Sequence, residues 1–155
     1  MWLQSTALSA FITQNSWVWP TLETLHFLGL AFLVGIVGLF DFRMLGFMRT
    51  IRPAALHQLI PWGILGFVVN FITGILFFVG TPYVYMHNAA FYLKILFILL
   101  AGVNVVVFYA TMHRKIEAMG PGDDAPGGAK FIAAASLLLW MAVIVSGRII
   151  AFVTE

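Results

Sequence analysis

The side chains best suited to chemistry are a histidine and a carboxylate that stand inside an apolar stretch near the start of the chain. Glu23 and His26 fall in the run from Trp19 to Phe40, which is otherwise almost entirely apolar. They are three residues apart, so on a helix they share one face. An ionisable group inside a bilayer costs about 2.5–3.5 kcal/mol even on lenient insertion scales, which favours a functional role for such residues.

Composition predicts that the apolar run is a membrane span. Of 155 residues, 62% are hydrophobic and 9% are charged, whereas a soluble domain is about half apolar and a quarter charged. A helical span needs about 20 apolar residues. Four segments meet this length, so we expect a single all-α domain over residues 1–155, an integral membrane four-helix bundle. The expected spans are about 20–40, 61–80, 89–110 and 131–152.

The absence of cysteine narrows the chemistry. With no Cys among its residues, the chain has no disulfide, thiolate metal site, cysteine nucleophile or haem attached through a Cys-x-x-Cys-His motif. The first dozen residues have neither a basic region nor a small-residue cleavage site, so we expect no cleaved signal peptide. Residues 1–16 have roughly helical apolar spacing and predict a short helix lying in the outer interface.

The basic residues predict the orientation. They cluster in the two connections that follow the first and third spans, while the N-terminal tail, the 81–88 loop and the C-terminus carry no Lys or Arg. By the positive-inside rule both termini face outward, in a multi-pass protein of a bacterial inner membrane. The net charge of +2 therefore reflects contact with lipid headgroups and gives no reason to expect nucleic acid. The basic residues in or beside these connections are Arg43, Arg49, Arg52, Arg114, Lys115 and Lys130.

One depth in the bilayer collects several polar groups. Counted from the outer boundary at about 1.5 Å per residue, His26, Lys94 and Arg148 all lie about 6–9 Å inside, on three different spans. The second span places Gly74 at the same depth, on a stripe of small or polar residues. A structural role is the alternative, in which Lys94 and Arg148 extend to the headgroups. The stripe is Gly63, Gly66, Asn70 and Gly74.

An imidazole and two cations at one depth suit a flat, apolar and anionic ligand. Haem b has these properties, and histidine is a common ligand of its iron. His26 would bind the iron, Lys94 and Arg148 would pair with the propionates, and Gly74 would make room for the ring. His87, at the outer end of the third span, is the candidate second ligand. We therefore expect a haem-b-binding membrane protein that passes electrons.

A second set of histidines lies near the inner boundary. His57 and His113 stand beside the two basic connections, and Tyr109 is one helical turn before His113. They could hold a second haem or a metal ion. The alternative is that both are solvated interfacial histidines without a ligand.

Two other functions are compatible with the same residues. Glu23, His26, Lys94 and Arg148 could line a path for protons or a small anion. Alternatively, the chain could be a non-catalytic assembly subunit whose glycine stripes mediate helix contacts. Such stripes also predict association with copies of the same chain. The sequence has no phosphate-binding Gly-rich loop and no His-Glu-x-x-His motif.

Several short motifs resemble an uncharacterised family of small four-helix bacterial membrane proteins, and the likeness extends over nearly the whole chain. This resemblance supplies an architecture without an activity. The motifs are Trp19-Pro20-x-x-Glu23-x-x-His26, Asp41-x-Arg43-x-x-Gly46, Asn88-x-x-Phe91-x-x-Lys94, Ala101-Gly102-x-Asn104 and Gly147-Arg148.

The arrangement of histidines also resembles the di-haem cytochrome b561-like bundles, including the superoxide oxidase-type members. That resemblance implies two b haems and electron exchange with a quinone or a small redox partner. The sequence departs from this family at three positions, because His57, His87 and His113 lie at the ends of spans rather than within them. Fold-level likeness of this kind does not establish a function.

Overall fold

The computed structural model describes residues 2–153, and all the regular structure in that range is helical. Four long helices form a membrane bundle, which confirms the predicted all-α fold. Short helices stand before and between them, and Trp2–Ser5 form a single 3-10 turn. The helices are α1 (Ala7–Gln14), α2 (Val18–Met44), α3 (Pro53–His57), α4 (Ile60–Gly80), α5 (Pro82–Met86), α6 (Ala89–Thr111), α7 (His113–Glu117) and α8 (Gly127–Ile150).

The four long helices are each apolar and long enough to cross a membrane. They contain nearly all of the expected spans and are somewhat longer, most clearly α2, which continues four residues past the expected end to Met44. Large apolar side chains cover the outside of the bundle; Leu99 is 63% exposed and Val106 is 66% exposed. Such a surface is stable only against lipid. The protein is therefore a multi-pass membrane protein.

Proline and asparagine set the helix starts. Proline occupies the first turn of α3, α4 and α5, where its missing N–H would have no partner in any case. Asn88 starts α6, because its side chain accepts a hydrogen bond from the Ala90 N–H at 3.0 Å. The same amide donates to the carbonyls of Ile150 (3.1 Å) and Val153 (2.7 Å). Asn88 thus joins the start of α6 to the end of α8.

The long helices pack as two close pairs. Helix α2 runs along α4, α6 runs along α8, and α2 also contacts α8. The α2–α4 pair is closest at Gly29 and Gly66: a Cβ atom on Gly66 would lie 2.6 Å from the Gly29 oxygen. Asn70 donates from Nδ2 to the His26 carbonyl at 3.0 Å and fixes the two helices one turn further on. The stripe on the second span therefore faces protein, as predicted.

The predicted N-terminal helix exists as α1, and it docks on the bundle. Ile12 is buried in an apolar cluster with Val18, Leu22 and Phe77. Ser9 Oγ donates to the Gly80 carbonyl at 3.4 Å. Helix α1 therefore covers one end of α2 and α4, which we call the outer end because the basic residues predict that it faces outward.

Arg43 organises the inner end of the bundle, where the basic connections lie. Its side chain is 0% exposed. Nε donates to the Ile51 carbonyl at 2.7 Å and Nη2 to the Asp123 carbonyl at 3.1 Å. Next to it, Asp124 pairs with Lys130 at 2.7 Å, and this hydrogen bond lowers the pKa of the Asp124 carboxyl. One arginine thus ties the connection after α2 to the connection before α8.

We predict that Gly66→Ala destabilises the protein and that Gly35→Ala does not. The new methyl group at Gly66 would meet backbone atoms of Gly29 and Leu33 at 2.6 and 2.9 Å, and overpacking of this kind costs about 1–3 kcal/mol. At Gly35 nothing lies within 4 Å of the added atom, so the higher helix propensity of Ala leaves stability unchanged or raised. Unfolding in SDS, followed by circular dichroism, measures both. Equal stability of the two variants would contradict the close α2–α4 contact.

The orientation of the protein in the membrane remains a prediction. Because the chain has no cysteine, single introduced cysteines can test it. We expect Ser16→Cys, between α1 and α2, to react with a membrane-impermeant maleimide added to intact spheroplasts. We expect Asp123→Cys, in the connection before α8, to react only after the membrane is opened. The reverse pattern would place the termini inside.

Candidate functional site

The ring of His26 is oriented by a threonine on the neighbouring helix. His26 Nδ1 lies 2.7 Å from Thr73 Oγ1. The Thr73 hydroxyl has its own acceptor, the Val69 carbonyl at 2.7 Å. A hydroxyl has one proton to donate. We assign it to the Val69 carbonyl, the acceptor four residues back that helical threonines commonly use, so Thr73 accepts from His26 and Nδ1 carries the hydrogen. The lone pair of neutral His26 is therefore on Nε2.

The ring lies beside bare backbone. A Cβ atom on Gly74 would be 4.0 Å from His26 Cε1, and apart from neighbouring atoms of α4 no other described atom lies within that distance. Phe77 meets the imidazole edge-on, with ring centroids 5.5 Å apart. His26 is thus bordered by an aromatic ring and by the bare backbone of Gly74.

Lys94 lies within the bundle, in electrostatic range of His26. Its Nζ would be 3.5 Å from a Cβ atom on Gly147 of α8, so the ammonium rests against another glycine. Within residues 2–153, Lys94 takes part in no ion pair and its Nζ in no hydrogen bond. The structure therefore brings together three of the predicted site residues, His26, Gly74 and Lys94.

The other two predicted members of the outer layer have different partners. Arg148 is exposed, and its guanidinium lies 4.8 Å from the centroid of the Phe152 ring. His87 is exposed as well: its ring is 4.2 Å from that of Tyr83, and its Nδ1 is 2.9 Å from the Tyr83 carbonyl. Both make these contacts within one helical turn of their own chain.

Aromatic side chains close the outer end above His26. Phe91 of α6 stacks on Phe78 of α4 at 5.8 Å and meets Tyr85 at 5.3 Å. Glu23 accepts a hydrogen bond from the Trp19 indole at 3.1 Å. Burial, and secondly the charge of Glu23, raise the pKa of the Tyr85 phenol. We call the group of Phe78, Tyr85 and Phe91 the aromatic rim. The Glu23 carboxylate lies next to it.

Between their ends, α4 and α6 make no extended contact. They meet at the aromatic rim, and at the other end Tyr109 of α6 reaches α3, which precedes α4: its hydroxyl is 3.0 Å from Nε2 of His57. Between these points Phe67 and Phe71 are exposed, the latter by 61%, and nothing lies within 4 Å of a Cβ atom on Gly102. We call this opening, bounded by Phe67, Phe71 and Gly74 on α4 and by Lys94 and Gly102 on α6, the α4–α6 seam.

The inner histidines meet, as the sequence suggested. The ring centroids of His57 and His113 are 5.1 Å apart, and His113 Nε2 is 3.5 Å from a Glu117 oxygen. Two imidazoles on opposite sides of one iron would have centroids about 6 Å apart, given metal–nitrogen bonds of about 2 Å. This pair as packed therefore does not fit a porphyrin between its rings. Across residues 2–153, no three His, Asp or Glu side chains are grouped to hold a metal ion.

Thr73 is the member of the site that sequence reasoning missed. It stands between Asn70 and Gly74, two residues of the predicted stripe, and adds a hydroxyl to a span whose side chains are mostly apolar. Its position could have indicated that it contacts the first span, because a polar residue beside a small-residue stripe faces the same neighbouring helix.

A profile for a family of unknown function, DUF6644, matches residues 2–153. The chain belongs to the DUF6644 family. No curated protein and no solved structure matches the chain. The predicted membership of an uncharacterised family is confirmed, and the function of this DUF6644 protein has to be argued from its site.

We predict that Thr73→Val frees the His26 ring. The isosteric side chain keeps the packing but removes the acceptor of Nδ1–H, so His26 should populate both tautomers, and stability should fall by about 1–2 kcal/mol. Nitrogen-15 spectra of histidine-labelled protein report the tautomer directly. Thr24→Val is the matched control, since the Thr24 hydroxyl only donates to the Pro20 carbonyl at 2.8 Å. An unchanged His26 spectrum in Thr73→Val would contradict the assignment.

Proposed function

We propose that this DUF6644 protein binds one haem b in the outer half of the membrane, with His26 as the iron ligand, and passes electrons. One observation carries the proposal. The lone pair of His26 Nε2 is kept free by the Thr73 hydrogen bond to Nδ1, within the membrane-spanning part of α2. A histidine whose other ring nitrogen donates to a fixed acceptor is the usual form of a metal-ligating histidine.

The surroundings of His26 fit the rest of the cofactor. Gly74 presents bare backbone beside the His26 ring, where a flat ligand would need room, and the Lys94 side chain rests on Gly147. Lys94 supplies a positive charge that has no protein counter-ion in the described chain, so it can pair with a propionate. Facing helices of a bundle are a common place for such cofactors.

The roles of the residues follow from their chemistry. Haem supplies a one-electron iron couple when bound. His26 holds the iron, Thr73 fixes the angle of the imidazole, and Lys94 anchors the acidic edge. The apolar walls exclude water, which is one of the means by which proteins tune such a couple.

The proposal is for one haem. His57 and His113 are too close together, as they pack, to be axial ligands of a second one. His87 bonds with Tyr83 and would have to leave that contact to reach the iron. Arg148, at the surface beside Phe152, is a weaker candidate for a propionate than Lys94.

We infer further that the protein resides in a bacterial inner membrane and associates with copies of itself. An electron carrier also needs a partner, and a quinone or another small redox molecule is the class we propose. A carrier for protons or a small anion is the second candidate function. It is favoured by the same free ammonium of Lys94, which would hold an anion in transit.

The haem proposal predicts a Soret absorption band for protein purified from cells supplied with haem precursor. His26→Ala should remove most of it, because the iron loses its protein ligand. His113→Ala is the matched control and should keep the band, since His113 lies at the inner end with Glu117. A colourless wild-type protein would refute haem binding. Anion flux in liposomes that Lys94→Met abolishes would then support the carrier.

A further inference from the structure

The ammonium of Lys94 lacks a counter-ion inside the membrane-spanning region. Glu23, the acidic residue nearest to His26 in sequence, accepts from Trp19, and the ion pairs of the described chain involve other residues. The Lys94 side chain runs against Gly147 of α8 and is only partly exposed. A desolvated cation without a partner is strongly unfavourable, so the position calls for an anionic group.

The space next to Lys94 opens to lipid. Phe71 and Phe78 are seven residues apart, two helical turns, so they lie on the same face of α4. Phe78 reaches Phe91, whereas Phe71 remains 61% exposed. On α6, Lys94 follows Phe91 by three residues, so it lies about one helical turn deeper in the bundle than the aromatic rim. The α4–α6 seam therefore extends from the lipid-exposed Phe71 to the depth of Lys94.

We propose that the α4–α6 seam is a lateral binding site for a lipophilic carboxylate that enters from the bilayer. The carboxylate pairs with Lys94 beneath the rim formed by Phe78 and Phe91. The apolar body lies along Phe71 and over Gly102, where the structure leaves open space. Haem propionates and free fatty acids both present this chemistry. The site shares Lys94 with the proposed haem site and does not require His26.

The other groove of the bundle does not suit such a ligand. It lies between α2 and α8 and is lined by apolar side chains and Gly38, among them Val34, Leu137 and Trp140. With no charged residue in its lining, it can hold an acyl chain but cannot select a carboxylate. Charge complementarity therefore assigns the carboxylate to the seam.

The test uses a photoreactive octadecanoic acid with a mid-chain diazirine, and its methyl ester, on the full-length protein in detergent. The acid should label peptides of α4 and α6 bordering the seam, and the ester should label them weakly. Lys94→Gln should reduce labelling by the acid about tenfold, as expected when one charge-assisted hydrogen bond is lost. Lys94→Arg should restore it. Lys130→Gln, which removes a lysine paired with Asp124 at the inner surface, should leave it unchanged.

Several outcomes would overturn the proposal: equal labelling by acid and ester, labelling indifferent to Lys94→Gln, or labelling confined to the α2–α8 groove. A monodisperse elution profile for each variant separates lost binding from misfolding. His26→Ala distinguishes the two carboxylate sources, since it should abolish the Soret band and preserve labelling by the acid. If the wild-type protein is colourless yet labels in a Lys94-dependent way, haem binding fails and the lipid-carboxylate site stands.

Discussion

The backbone contact between Gly29 and Gly66 is the constraint on which the rest of the structure depends. Two helices can approach this closely only where neither has a side chain, and a Cβ atom on either residue would lie within 2.8 Å of the other helix's backbone. At that separation Asn70 reaches the His26 carbonyl, and Thr73, one turn further, reaches the His26 ring. Helix packing thus fixes which nitrogen of His26 is free.

The same close pairing accounts for the opening on the other side of the bundle. Helix α4 is held against α2, and α6 is held against α8 by Asn88 and by the packing of Lys94 over Gly147. Two tight pairs joined mainly through α2 and α8 leave α4 and α6 apart in the middle of the membrane. Aromatic contacts close this gap at the outer end, and at the inner end the hydrogen bond of His57 to Tyr109 joins α6 to α3, which precedes α4.

Sequence patterns predicted the fold well because lipid imposes strict demands on length and polarity. They also predict the depth of each polar residue, but a depth does not give the direction of its side chain. Successive side chains on a helix are rotated by about 100°. A residue placed one position wrongly is therefore assigned to the wrong face of its helix, even when its depth is nearly right. Arg148 shares the predicted depth of Lys94, yet it lies at the surface against Phe152. Contacts within one helical turn, such as that of His87 with Tyr83, could have been predicted from the spacing of the residues alone.

The polar groups of the site are one ring nitrogen and one ammonium group, and this limits what can bind there. Nε2 of neutral His26 is an acceptor or a metal ligand, whereas Lys94 is a donor with a full positive charge. Around them the structure offers glycine backbone, Phe77 and lipid-facing apolar surface. A small hydrated anion would satisfy Lys94 and leave the apolar walls facing water. An amphipathic molecule with an acidic end satisfies both, and a molecule that also carries a metal satisfies His26 as well. Haem b meets all three demands, and a fatty acid meets the two that Lys94 and the α4–α6 seam impose.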